Sequence, residues 1–102
     1  MKRFLVPVLA VALAGCSWVS LSPGADAVRV RDVDSLTGCT RLGKTHTRTK
    51  ANVGFILRRK SAVEEELVSL ARNEAVRMGG NVVSPVGPVH EGEQDFGIYR
   101  CN

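Results

Sequence analysis

The sequence predicts an α+β domain in which one amphipathic helix packs on a small, largely antiparallel four-stranded sheet. Residues 27–33 and 39–49 have the alternating pattern of strands. Residues 61–78 have the apolar spacing of a helix, and apolar segments at 81–86 and 96–101 follow it. We therefore expect the element order strand, strand, helix, strand, strand.

The first strand alternates valines with arginines. Val28 and Val30 are expected to face the core, and Arg29 and Arg31 are expected to face solvent.

The second strand carries three alternating threonines, Thr45, Thr47 and Thr49. They should share one face, with His46 and Arg48 on the other. Gly43 lies inside this strand and is expected to mark a bulge.

The helix has signals at both ends. Ser61 and Glu64 match a capping box, which predicts the start of the helix, and Gly79 with Gly80 predicts its end. The glutamates that follow Ser61 are assigned to the positive end of the helix dipole: Glu64, Glu65 and Glu66. The apolar stripe is expected to comprise Val63, Leu67, Leu70, Ala71, Ala75 and Met78.

The segments around the helix are less regular. Residues 81–86 are predicted as a buried strand that ends at Pro85, followed by a polar loop over 87–95 and a last strand over 96–101. Residues 50–60 fit either the end of a strand or a loop.

The first residues have the pattern of an export signal. Lys2 and Arg3 precede an apolar run at residues 4–14 that is too short to span a bilayer. The run ends in Leu-Ala-Gly followed by Cys16, which matches the lipobox of bacterial lipoproteins. We expect a signal peptide at 1–15, a lipidated Cys16 opening a tether at 16–26, and one periplasmic domain at 27–102.

The other two cysteines are Cys39 and Cys101. An even pair in a small exported domain predicts a disulfide, because the periplasm is oxidising. His46 and His90 stand apart from any metal-ligand spacing, so no metal is expected.

The charge excludes some partners and suggests others. Lys2 and Arg3 would be removed with the expected signal peptide, so the formal net charge would fall from +4 to about +2. An exported lipoprotein would also not meet nucleic acid, so we expect no nucleic-acid binding. Residues 44–60 contain six cations and no acid. This basic block is the candidate interaction surface: Lys44, Arg48, Lys50, Arg58, Arg59 and Lys60. It could contact an envelope protein, anionic lipid or lipopolysaccharide.

No catalytic constellation emerges from the sequence. His46 is interpreted as a solvent-facing strand residue, and His90 with Glu91, Glu93 and Asp95 as a solvated acidic turn. Asn73 is a polar residue between two apolar helix positions, and it is expected to hydrogen-bond a neighbouring strand edge, with exposure to solvent as the alternative. We therefore expect a non-enzymatic monomer with no cofactor beyond the diacylglyceryl and N-acyl groups on Cys16.

The stretch R-N-x-A-x-x-M-G-G-N at the helix exit resembles a family of small Gram-negative lipoproteins classified as a domain of unknown function. The likeness also includes C-T-R-L-G upstream, Y-R-C near the last residue, and the lipobox. A more distant likeness is to the Rcs envelope-stress sensor lipoprotein, which has two disulfides. The resemblance implies sorting to the outer membrane, and Ser17 lacks the aspartate that commonly retains lipoproteins at the inner membrane.

These expectations favour a lipid-anchored envelope lipoprotein that acts as an interaction or sensor-like accessory domain. One alternative is a binder of a small or anionic envelope ligand. The other, less favoured, is an enzyme of the cell envelope.

Overall fold

Four strands form one mixed sheet, and a single helix packs on one of its faces. The computed structural model describes residues 19–53 and 56–102, so the expected signal peptide and Cys16 lie outside the described residues. The sheet contains β1 (Arg29–Val30), β2 (Cys39–Arg48), β5 (Val82–His90) and β6 (Glu93–Cys101) in the spatial order β1-β5-β6-β2. The helix α1 spans Lys60–Met78.

The α+β class with one helix and a four-stranded sheet is confirmed, and the sheet differs from the expectation in two respects. It is mixed, because β1 pairs in parallel with β5 while the other pairs are antiparallel. Two additional short strands, β3 (Asn52–Val53) and β4 (Ile56–Leu57), form a separate antiparallel pair between β2 and α1. The segment that fitted either a strand end or a loop therefore contains a small hairpin.

The longest ladder joins β2 to β6. It runs from the pair Cys39 and Cys101 to the pair Arg48 and Glu93, and its register shifts between Arg41 and Gly43. The shift confirms the expected bulge. A β-carbon on Gly43 would lie 2.7 Å from Cε of Met78, so the bulge also lets α1 approach the sheet closely.

The helix begins earlier than expected, and the capping box does not form. Arg59 is the N-cap residue and makes no side-chain capping hydrogen bond. Ser61 consequently lies inside the first turn, and the Glu64 carboxylate lies 3.9 Å from Lys60 Nζ instead of reaching back to a cap. The expected end is confirmed, because Gly79 adopts a left-handed conformation with φ of 84° and its N–H bonds to the last turn.

The core lies between the helix stripe and the inner face of the sheet. Leu67, Phe96 and Ile98 are fully buried, together with Val83 from β5. Every residue of the expected helix stripe contributes to this core, with Leu70 and Met78 only partly buried. The stripe was therefore predicted correctly from its spacing alone.

The segment after the helix is the largest correction. Pro85 does not end a strand, because β5 continues to His90, and β6 begins at Glu93 instead of residue 96. β1 pairs only with Val82 and Val83, so Pro85 lies where one edge of β5 is open and no N–H is required. The expected polar loop is instead a hairpin whose turn, Glu91 and Gly92, has φ values of 50° and 77°.

Two leucines test the core directly. Leu67 is 0% exposed and Leu57 is 78% exposed. We expect Leu67→Ala to lower the free energy of unfolding by about 2–5 kcal/mol, because it leaves a cavity between helix and sheet. Leu57→Ala is the matched control and should change it by less than about 0.5 kcal/mol in the same urea titration. Equal losses in the two variants would contradict this packing arrangement.

Candidate functional site

The chain that precedes the domain is fixed to the helix by one side chain. Asn73 Oδ1 accepts a hydrogen bond from the Ser22 backbone N–H at 2.7 Å, and Asn73 Nδ2 donates one to the Ser20 carbonyl at 2.9 Å. Immediately afterwards, Ala25 is buried in a short 3-10 turn against the helix. Part of the expected tether is therefore docked on the domain. The structural role expected for Asn73 is confirmed, but its partner is this segment and not a strand edge.

The expected disulfide is confirmed. Cys39 and Cys101 are joined with an S–S distance of 2.03 Å across the end of the β2–β6 ladder, although 62 positions separate them in the chain. Asn81 supports this end of the sheet. Its side chain accepts a hydrogen bond from the Cys101 N–H and donates one to the Cys101 carbonyl.

Carboxylates face much of the basic block. Three partners of its cations come from β6 and from the helix, at nitrogen-to-oxygen distances of 3.8–3.9 Å: Asp95 for Lys44, Glu93 for Arg48 and Glu64 for Lys60. Arg59 and Lys50 lie at exposed positions. Glu93 and Asp95 are distant from the block in sequence, and Glu64 lies four residues beyond Lys60, so the positive charge of residues 44–60 taken alone was an overestimate.

Arg58 does not lie on an open surface, which corrects its inclusion in the interaction surface. Its guanidinium contacts both carboxylate oxygens of Glu66, at 2.9 Å and 2.6 Å, and also bonds to the Lys50 carbonyl. The Thr49 hydroxyl donates a further hydrogen bond to Glu66. The Glu66 side chain is only 4% exposed, so Glu66 serves this buried network and not the helix dipole. These hydrogen bonds raise the pKa of Arg58 above its ordinary value.

His46 lies between two carboxylates on the outer face of the sheet. Its Nδ1 is 2.6 Å from Oδ1 of Asp95, and its Nε2 is 2.9 Å from Oε1 of Glu93. The hydrogen bond to Asp95, and then that to Glu93, raises the pKa of His46 above 6.5. In return, His46 holds the pKa of Asp95 below 3.8. The face expected for His46 is confirmed, but its partners were missed because they come from what was interpreted as a loop.

Among the described residues, the concavities beside the sheet include two that differ in polarity. A groove of about 360 Å³ lies between α1 and β5, and its walls are mainly apolar, including Val30, Val68 and Phe96. A polar cleft of about 400 Å³ lies where β1 and β5 begin and β6 ends. Three arginines line this cleft: Arg29, Arg31 and Arg100. The sequence predicted that Arg29 and Arg31 face solvent. That Arg100 lines the same cleft could be seen only from the strand order.

Within residues 19–53 and 56–102, no three His, Cys, Asp or Glu side chains are placed to hold a metal ion. In the same ranges, no helix is long and apolar enough to cross a membrane.

The His46 cluster predicts a pH-dependent contribution to stability. Because the pKa of His46 is raised in the folded protein, the stability that charged His46 contributes is complete below about pH 6.5. This stability is lost as the pH rises through the folded-state pKa of His46. Because the pKa of Asp95 is lowered, its contribution is present above about pH 3.8 and is lost as the pH falls through the folded-state pKa. We expect His46→Gln to destabilise the protein most between these values, and much less at pH 8.5.

Urea unfolding at pH 5.5 and 8.5 measures this difference. His90→Gln is the matched control, because His90 is exposed and lies 3.8 Å from Glu91. A pH-independent loss in His46→Gln would contradict the proposed linkage.

Asn73 offers a second test. We expect Asn73→Ala to accelerate hydrogen exchange of the Ser22 amide strongly, because that amide loses its acceptor. The better helix propensity of alanine offsets part of the loss, so the free energy of unfolding should change by less than about 1 kcal/mol. Asn52→Ala, at an exposed position, is the control and should leave Ser22 protected. Unchanged exchange at Ser22 in Asn73→Ala would show that the docking does not depend on Asn73.

Comparison with known proteins places the chain in a family. No curated protein and no solved structure matches it. The family model described as Domain of unknown function (DUF4156) matches residues 19–101, which include every strand and the helix described above. The chain therefore belongs to the DUF4156 family.

Proposed function

We propose that this protein is a lipid-anchored component of the cell envelope whose domain acts by contact with another component and not by catalysis. In this proposal Cys16 carries diacylglyceryl and N-acyl groups that hold the protein at the periplasmic face of the outer membrane. The order of charge, apolar run and Leu-Ala-Gly-Cys in the first sixteen residues supports the anchor.

The observation that carries the proposal is the docking of the chain directly after Cys16. Ser20 and Ser22 are already bonded to Asn73, so only three residues separate Cys16 from the folded domain. An extended chain rises by at most about 3.6 Å per residue, so these residues span no more than about 14 Å. A lipid on Cys16 would therefore hold the domain close to the bilayer. The attachment point would lie on the side of the domain where α1 is exposed.

The disulfide supports the same compartment. Cys39 and Cys101 form the bond, and Cys16 is the remaining one of the three cysteines in the chain. Disulfides persist in oxidising compartments such as the periplasm. The distribution of cysteines therefore agrees with export, with one thiol reserved for lipid and two for stabilisation.

A second candidate function is the binding of a small anionic ligand. The cleft lined by Arg29, Arg31 and Arg100 favours it, because a concavity with an excess of positive charge concentrates anions. This role is compatible with an accessory or sensor-like domain, since either would respond to an envelope component by binding it.

Replacement of Cys16 tests the anchor. We expect Cys16→Ala to abolish metabolic labelling with a palmitate analogue, because the acceptor thiol is lost. Ser17→Ala is the control and should label like the wild type and remain in the outer-membrane fraction after a salt wash. Labelled, salt-resistant Cys16→Ala would overturn the proposal.

The double variant Cys39→Ala/Cys101→Ala separates anchoring from stability. It should remain labelled and membrane-bound, while its free energy of unfolding falls by about 2–4 kcal/mol because the unfolded chain is no longer cross-linked. Loss of labelling in this variant would indicate that lipidation does not depend on Cys16 alone.

A further inference from the structure

The arginine cleft, defined by Arg29, Arg31 and Arg100, lies at the end of the sheet that carries the disulfide. Its other walls come from the first residue of β5, the last of β6 and the chain beside them: Ala27, Asn81, Val82, Cys101 and Asn102. The cavity volume of about 400 Å³ is large enough for an ion and the group that carries it.

The backbone fixes where the arginines start. Arg29 lies in β1, and Arg31 follows just after the strand with its N–H bonded to the Val83 carbonyl. Because Arg29 pairs with Val82 and Val82 with Tyr99, Arg29 starts on the outer face of the sheet and Arg100 on the inner face. Both line the cleft because it lies at the end of the sheet. The Arg29 N–H bonds to the Asn81 carbonyl, and the Asn81 side chain holds both backbone groups of Cys101. Arg100 directly precedes Cys101, so Asn81 positions the backbone on both sides of the cleft.

The charges in the cleft are not balanced by ion pairs. In the described part of the chain, none of the three guanidinium groups lies within ion-pair distance of a carboxylate, whereas Lys44, Arg48 and Lys60 each have one. Even with a carboxylate counted at Asn102, the lining keeps an excess of positive charge. Like charges around one concavity repel each other, and a bound anion relieves that repulsion.

The donor geometry distinguishes between classes of anion. A guanidinium is a planar fork that binds carboxylate or phosphate oxygens in pairs. All three arginines line the cleft, and three forks offer more donors than the two oxygens of one carboxylate accept. The three terminal oxygens of a phosphate monoester can accept from all of them.

We propose that the arginine cleft binds a phosphate monoester dianion. The binding chemistry is the same for a free small molecule and for a phosphate on a lipid headgroup. The proposal deepens the anion-binding role given above. It rests on the proposed lipid anchor only in one respect, since the anchor determines the place in the cell where the protein would meet the ligand. Ala27 lines the cleft, so the chain that leads from Cys16 reaches it directly after its docked segment.

Titration of the purified full chain in a neutral detergent tests the proposal. The probes are glycerol 3-phosphate as the free monoester and a short-chain phosphatidic acid as the lipid monoester, with glutarate as the carboxylate control. Binding is followed by the ¹⁵N shifts of the arginine side chains. We expect saturable shifts at Arg29, Arg31 and Arg100 with at least one phosphate probe, and weaker binding of glutarate.

Two double variants with the same loss of charge provide the controls. We expect Arg29→Gln/Arg31→Gln to weaken phosphate binding about tenfold or more, because charge-assisted hydrogen bonds are removed. Arg41→Gln/Arg59→Gln removes two exposed cations outside the cleft and should change the affinity less than about twofold. Unfolding midpoints of both variants show whether each is folded, and an Arg29→Gln/Arg31→Gln variant that does not fold is replaced by Arg100→Gln.

Each outcome has a defined meaning. Binding of both phosphate probes supports a free ligand, and binding of phosphatidic acid alone supports a lipid source. No saturable binding, equal weakening in the two double variants, or glutarate binding as tight as phosphate would overturn the proposal. Because none of these readouts depends on acylation of Cys16, they are independent of the labelling experiment on the anchor.

Discussion

The antiparallel pairing of β2 with β6 sets the positions of most other features of the domain. Its register places Cys39 opposite Cys101 at one end and Arg48 opposite Glu93 at the other. On the inner face, the same strand β6 presents Phe96 and Ile98 to the helix. One ladder thus determines the disulfide, the charge pairs of the outer face and much of the core, because a shift of one residue would turn each β6 side chain to the opposite face.

The same pairing redistributes the charge of the molecule. Lys44 and Arg48 belong to the most basic segment of the chain, yet the ladder brings Asp95 and Glu93 beside them. Such surface pairs contribute little stability each, but they reduce the positive potential of that face. The guanidinium groups at the opposite end of the sheet have no such partners among the described residues. The binding surface is therefore proposed where charge is unbalanced in space, and not where cations are dense in sequence.

Polar side chains of the helix attach the segments that would otherwise have little to pack on. Glu66 binds Arg58 and Thr49, which fixes the chain on either side of the small β3–β4 hairpin. Asn73 binds the chain before the domain. Neither residue belongs to the apolar stripe, because each binds polar groups of a segment outside the helix.

The fold class, the helix stripe, the bulge at Gly43 and the pairing of Cys39 with Cys101 could be predicted from the sequence, because periodicity, local backbone geometry and a single available thiol pair are local or countable properties. The hairpin at residues 87–95, the burial of Glu66 against Arg58, and the cleft that Arg100 shares with Arg29 and Arg31 became visible only in the folded structure. These features depend on which strands become neighbours, and that is set by long-range pairing energies that no short window of sequence contains.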